Sequence, residues 1–361
     1  MSGGRGSDRA AGPSRRRFLA TAGAAATAGL AGCGGLLTTT NSRAPPVLEA
    51  RPDAVYLPTH VEGMLMAGRA TAGDLTVALT YTLPHRFWTV ERDGDRYATR
   101  ITDVTRDDAV HLMATVWDPE TGVTVPNTGL SLEITRDGDL VSEEVIYPML
   151  AQRMGVHYGA NFPLDGDGAY EVRASVGGVS IPRYGAFEGR FGEPATATIP
   201  LEYSRQEVTS VDYRDLKNAG ERDAVAPMEM GKLPVGRLPD PFPGEPLGRG
   251  SLGDLQLTAT RLTADRFGGD PYLAVGASTP YNRFAVPGMA MAAVFQIGDA
   301  EETTVDLPVS LDPELGVHYG APVPGLDPGV PFRLRVSTPA QVARHEGYET
   351  AFREAGTVRL G

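Results

Sequence analysis

Gly155-Val156-His157-Tyr158-Gly159-Ala160 recurs letter for letter as Gly316-Val317-His318-Tyr319-Gly320-Ala321, 161 residues further along a chain of 361. The same offset carries Pro119 onto Pro280, Val125-Pro126 onto Val286-Pro287, Arg183 onto Arg344 and Phe191 onto Phe352. Agreement at one gapless offset marks a duplicated unit, spanning about residues 105–203 and 255–361. Within each copy apolar residues alternate: Leu130, Leu132, Ile134; Tyr170, Val172, Ala174, Val176; Leu255, Leu257; Phe332, Leu334, Val336. That period of two belongs to half-buried strands. Turn formers punctuate it at Asp137-Gly138, Asp165-Gly166-Asp167-Gly168 and Asp327-Pro328-Gly329. No helical period is sustained, so the expected fold is all-β, with two tandem immunoglobulin-like β-sandwich domains.

Outward from the repeats, a strand at Leu75, Val77, Leu79 and Tyr81, with a partner around Phe87 to Val90, reads as a hairpin extending the first sandwich. The first domain is therefore expected over residues 51–203. Residues 204–250 hold Pro227, Pro234, Pro239, Pro241, Pro243 and Pro246 among many charges and read as a linker, leaving 251–361 for the second sandwich.

At the N-terminus, Ser14-Arg15-Arg16-Arg17-Phe18-Leu19 has the pattern of a twin-arginine secretion signal, and Leu30-Ala31-Gly32-Cys33 that of a lipid-attachment site. The expectation is a signal over 1–32, lipidation at Cys33, a tether over 33–50, and a mature protein anchored by lipid on the extracytoplasmic face of the membrane. No later apolar stretch approaches the length of a span. Processing would remove five arginines and one aspartate, taking the formal charge from −12 to −16. So acidic a chain lacks the basic footprint of nucleic-acid binding. Lys217 and Lys232 are its only lysines, and this arginine-over-lysine, carboxylate-rich composition suggests a halophile.

Cys33 is also the only cysteine, so a metal in the folded part would rest on His, Met, Tyr or carboxylate. The offset pairs His111 with Tyr272, His157 with His318, and Tyr184 with His345. Imidazole and phenolate are both metal ligands, whereas a duplicated core position more often holds an aliphatic residue or Phe. Met149 and Met154 precede His157, and Met113 lies two residues after His111, on the same face of an extended strand. Thioether with imidazole is a soft set suited to copper, and less to iron(II) without an oxygen ligand. Two readings of His157 and His318 stand side by side: metal ligation, or capping of the turn before the following Gly. His60, Glu62, Met64 and Met66 allow either an accessory metal site or a half-buried strand with two core methionines. His85 lies on or beside the neighbouring strand, and Met228 and Met230 form a second Met-x-Met.

Val110-His111-Leu112, Tyr147-Pro148-Met149, His157-Tyr158-Gly159-Ala160-Asn161 and Gly168-Ala169-Tyr170-Glu171-Val172 follow in an order that resembles the periplasmic iron- and copper-binding proteins accompanying bacterial ferrous-iron permeases. The resemblance implies immunoglobulin-like domains with a metal site made of an early His, a Met, the His of His-Tyr-Gly-Ala-Asn and a later His. It places His111, Met149 and His157 in the first repeat, and matches the later His to His345 of the second, where the first has Tyr184. The family's glutamate after the first His is Met113 here. The second repeat keeps His318 and His345 but has Tyr272 and Ser310 at the other positions, so neither repeat holds the whole set.

Enzyme signatures are missing: there is no Gly-x-Ser-x-Gly elbow, phosphate-binding glycine loop or His-Glu-x-x-His. The expected function is that of a non-enzymatic lipoprotein binding copper or iron, with a metal permease as a partner and assembly as a homodimer or an intramolecular pseudo-dimer. The competing expectation is an envelope interaction module that has kept the fold without a working site.

Overall fold

Where the sequence alternates, the burial alternates with it. Along Leu130–Arg136, Leu130, Leu132 and Ile134 are buried while Ser131 and Glu133 are not; Gly168–Val176 and Ala195–Tyr203 behave alike. Each fully buried Leu, Ile or Val on these inner faces contributes roughly 1.5–3 kcal/mol. The computed structural model describes residues 46–229, 231, 233–295 and 302–360. The expected signal peptide, Cys33, most of the expected tether and Met230 lie outside the described residues.

The chain is an all-β sandwich protein in which the duplication is visible strand by strand. In the first copy Leu65–Ala72, Leu75–Thr82, Asp108–Trp117, Gly155–Pro163 and the end of Asp139–Ala151 pair in that order. In the second copy Glu245–Leu252, Leu255–Leu262, Tyr272–Ser278, Gly316–Pro322 and Val309–Asp312 repeat it. The opposing sheet of the first copy runs Ala195–Tyr203, Gly168–Val176, Leu130–Arg136 and the start of Asp139–Ala151, and that of the second runs Gly356–Arg359, Phe332–Thr338, Ala290–Phe295 and Thr303–Leu307. Asp139–Ala151 thus serves both sheets of its sandwich as one strand. The second copy splits the same stretch at Pro308, where the first has Tyr147.

Two expectations change. Leu75–Thr82 does not pair with Phe87–Asp93; its neighbours are Leu65–Ala72 and Asp108–Trp117, so it is an integral sandwich strand with a counterpart at Leu255–Leu262. Phe87–Asp93 instead forms a hairpin with Arg96–Thr102, an insertion that the second copy replaces with a short connection bearing the 3-10 turn Asp265–Phe267. The span expected to be a linker also carries structure: a short helix Arg205–Thr209, the strand Tyr213–Asp215 paired with His60–Glu62, and the strand Glu245–Leu252. Pro246 and Gly248 disguised that last strand. It is an edge strand with a bulge between Pro246 and Gly248, a place where proline costs no ladder bond.

The copies also exchange short segments. Residues 343–344, late in the second copy, pair in parallel with Met149 and Leu150 of the first, and His345 N–H donates to Leu150 O at 3.1 Å. Reciprocally, Arg183 bridges to Leu311 of the second copy, Tyr184 N–H donates to Leu311 O at 2.9 Å, and Leu311 N–H donates to Pro182 O at 2.9 Å. The hairpin unique to the first copy clasps the incoming segment from its other side, through Trp88 opposite Arg344.

The duplicated Tyr of the His-Tyr-Gly-Ala stretch has one role in both copies. Tyr158 Oη accepts from Thr128 N–H at 2.9 Å and donates to Val125 O at 3.3 Å; Tyr319 Oη accepts from Met289 N–H at 3.1 Å and donates to Val286 O at 3.0 Å. Each ties its strand to a loop that has no ladder of its own. Tyr158→Phe and Tyr319→Phe each leave buried backbone groups unpaired and are expected to cost about 1–3 kcal/mol in urea unfolding. The costs should add in the double variant because the two ties share no partner; losses within error of zero would show that these ties carry no load.

Candidate metal centre

Adjacent residues of a strand face opposite ways, so Tyr158 pointing to its loop turns His157, Gly159 and Asn161 to the other face. There His157 lies opposite Met149, and His111 lies opposite Asn161 and Thr82. Gly159 sits between them: a Cβ at that position would stand 2.9 Å from His111 Nε2 and 3.1 Å from Met149 Sδ. The missing side chain makes the space into which an imidazole and a thioether both point. His345 arrives on the exchanged segment. His85 arrives from the connection between Leu75–Thr82 and the inserted hairpin.

The imidazole rings pack on one another. Ring centroids are 4.0 Å apart for His85 and His111, 4.8 Å for His85 and His345, 5.6 Å for His111 and His345, and 5.4 Å for His157 and His345. One ligand nitrogen from each of His85, His111 and His345 lies within 4.8 Å of the other two, a group able to hold a metal ion. Three rings are oriented through Nδ1: His85 to Glu62 Oε1 at 2.8 Å, His111 to Asn161 Oδ1 at 2.7 Å, and His157 to Gly155 O at 3.1 Å. A second link from Asn161 Nδ2 to His85 O at 3.0 Å joins two of these positions. In a neutral ring whose Nδ1 proton goes to such an acceptor, as at His111 and His157, Nε2 is left as a bare lone pair. Nε2 of His85, His111, His157 and His345 is buried in every case and has no hydrogen-bond partner among the described residues. Burial, reinforced by the neighbouring imidazoles, keeps three of these rings neutral: His111 and His345 titrate well below the usual histidine range, and His157 is pushed down to about 4.

The equivalent place in the second copy is chemically closed. Tyr272 stands where His111 does, and its hydroxyl meets His318 Nε2 at 3.0 Å, while His318 Nδ1 lies 3.1 Å from Gly316 O. Both ring nitrogens are therefore engaged. Tyr184, delivered by the reciprocal exchange, packs edge-on to Tyr272 and Phe267 with centroids at 5.2 and 5.0 Å. At Gly320, the counterpart of Gly159, a Cβ would overlap the Tyr272 ring.

Of the residues singled out in the sequence, the structure brings His111, Met149, His157 and His345 together. Met113 lines an adjoining cavity rather than the ring cluster, and Tyr184 and His318 belong to the closed second place. His157 caps Gly155 O through one nitrogen and leaves the other, Nε2, buried without a hydrogen-bond partner among the described residues. His318 serves only inward contacts. His85 completes the cluster and was not among the expected ligands; its signal in the sequence is that it flanks an insertion absent from the other copy. The accessory cluster divides: Glu62 orients His85, His60 stacks on Tyr213 at 4.9 Å, Met64 lines the cavity, and Met66 is 45% exposed rather than core.

Residues 240–361 match a family described as a domain of unknown function, DUF7350. No curated protein matches the chain. Among solved structures, FetP of uropathogenic Escherichia coli strain F11 is similar at 20% identity over 39% of this chain and 96% of its own, with a TM-score of 0.29. Copper-reconstituted P19 of Campylobacter jejuni is similar at 19% identity over 39% of this chain and 97% of its own, TM-score 0.29, and a copper-bound single-substitution variant of P19 at 20%, 39% and 98%, TM-score 0.31. Likenesses of this size carry no argument about what this chain binds.

His318, like His157, is held neutral with its pKa lowered to about 4, chiefly by burial. In the unfolded chain a histidine takes up its proton as the pH falls through about 6.5. The stability this ring confers is therefore complete above that pH and drains away as the pH falls toward 4, by about 3 kcal/mol at most. Glu349, whose pKa burial raises, works in the opposite sense, so the test is a comparison. Urea midpoints of the metal-free protein should fall between pH 6.5 and 4, and less steeply in His318→Gln. Equal slopes would mean that His318 is not the buried neutral ring described.

Proposed function

We propose that the chain is a non-enzymatic metal-binding protein that takes one copper or iron ion as cargo between its two copies, on the outer face of a membrane to which lipid at Cys33 anchors it. The observation that carries this reading is the meeting of ligand nitrogens from His85, His111 and His345 within 4.8 Å of one another, with His157 stacked on His345 and Met149 Sδ and His111 Nε2 facing the same space. An unpaired buried polar group costs about 1–3 kcal/mol, so four ring nitrogens buried without hydrogen-bond partners among the described residues are a poor way to build a core. They are an effective way to meet a cation. The donors of the cluster are imidazole nitrogen and thioether sulfur, a set that favours copper over iron(II). Glu62, Asn161 and Gly155 O fix the tautomers that ligation needs.

Export by the twin-arginine route and anchoring by lipid rest on the sequence motifs. No helix among the described residues is long and apolar enough to cross a membrane. A metal permease of the same membrane is the partner that uptake would require. The competing reading, an envelope interaction module, draws its support from the second copy, where the same framework is stable with its histidine turned to a tyrosine.

After loading with Cu(II) or Fe(II) and desalting, elemental analysis of the mature protein should find about one ion per chain, more tightly held for copper. His157→Ala and His345→Ala should both lose most of it, although they lie in different copies, and His318→Ala should lose none. Saturating metal should raise the melting temperature, since a ligand at about 100 times its Kd adds roughly 2.7 kcal/mol to the folded state. Full metal content in both His157→Ala and His345→Ala would overturn the proposal.

A further inference from the structure

In front of the imidazole cluster lies a cavity of about 130 Å³ whose wall includes His85, His157 and His345 on its inner side. Three methionines from separate segments also line it: Met64, just after the strand His60–Glu62; Met113, on Asp108–Trp117; and Met154, in the turn before Gly155–Pro163. Met113 is paired across the ladder with Gly159, so no side chain stands opposite it on that strand.

We infer that this cavity is a second binding place, for monovalent copper, formed by the thioethers of Met64, Met113 and Met154. The inference rests on the metal-binding reading above for its purpose, but its chemistry is its own. Hard dications prefer oxygen ligands, and the two carboxylates of this wall already accept hydrogen bonds or hold a histidine. Glu346 Oε1 accepts from Leu48 N–H at 3.1 Å, and Oε2 accepts from Thr59 N–H at 3.1 Å and Thr59 Oγ1 at 2.7 Å; Glu62 Oε1 holds His85. Arg153 adds a positive charge to the same wall, raising the cost of admitting a doubly charged ion. A singly charged soft ion loses less hydration on entering an apolar space and gains from neutral, polarisable sulfur. Trp88, Pro58 and Val61 give the wall apolar surface beside the polar His60, Thr82, Arg86 and Gln152. An ion here stands beside the imidazoles rather than among them.

Anaerobic titration of the full mature chain with Cu(I), against a chromophoric chelator, tests this directly, with X-ray absorption to identify the scattering atoms. Two Cu(I) per chain are expected, the second sulfur-rich, and only one Zn(II) or Fe(II). Met64→Leu/Met113→Leu/Met154→Leu, a nearly volume-conserving change that should melt as the parent does, should bind one Cu(I) and lose the sulfur-rich signal. The same stoichiometry and spectrum in parent and triple variant would overturn the inference while leaving the imidazole site standing. A sulfur-rich copper that persists in His157→Ala/His345→Ala would support the cavity site even if the imidazole site failed.

Discussion

The structure depends on a pair of exchanged backbone contacts. Residues 343–345 lie against Met149 and Leu150, and residues 182–184 lie against Leu311. Each contact is only one or two residues long, too short to be stable alone, and each is held by its surroundings. The first is clasped by Trp88 of the inserted hairpin and strapped by the N-terminal segment. There Leu48 and Thr59 bind Glu346, Tyr56 N–H donates to Gly347 O, and the Tyr56 hydroxyl bonds the buried Glu349. His345 is therefore fixed by hydrogen bonds made through the residues around it. Its ring packs on the other imidazoles, and its Nε2 has no hydrogen-bond partner among the described residues.

The two copies share one strand order but differ chemically at the corresponding place. Gly159 and Gly320 keep the same space open, but His111 and Met149 fill one and the Tyr272 ring the other. In the second copy a hydroxyl supplies the proton that satisfies His318, so the core is complete as it stands. In the first, Nε2 of four histidines has no hydrogen-bond partner among the described residues. The inserted hairpin widens the difference, since its base carries His85 and nothing equivalent exists in the connection around Asp265–Phe267.

Much of this was legible in the sequence. The repeated Gly-Val-His-Tyr-Gly-Ala stretch and its constant offset disclosed the duplication, and alternation at Leu130–Arg136 and Gly168–Val176 disclosed the strands. His111, Met149, His157 and His345 were identifiable as candidates, yet aligned by offset neither copy holds a complete set. The reason is topological: a parallel contact of two residues leaves no periodicity or composition to read, so the crossing of His345 into the other copy is invisible until the chain is folded. His85 and Glu62 were obscured differently. Their roles depend on a 2.8 Å contact between segments with no repeat counterpart, and single polar residues in such segments look like ordinary surface. The strand Glu245–Leu252 was hidden by Pro246 and Gly248, residues that usually end strands and here mark a bulged edge.

The crossing of His345 also has a consequence in time. A ribosome delivers His85, His111 and His157 well before His345, and the cluster exists only once the second copy has folded and returned that segment to the first. A chain cut before His345 carries three quarters of the imidazoles but not their enclosure. Assembly of the cluster therefore reports that both copies have been made and folded.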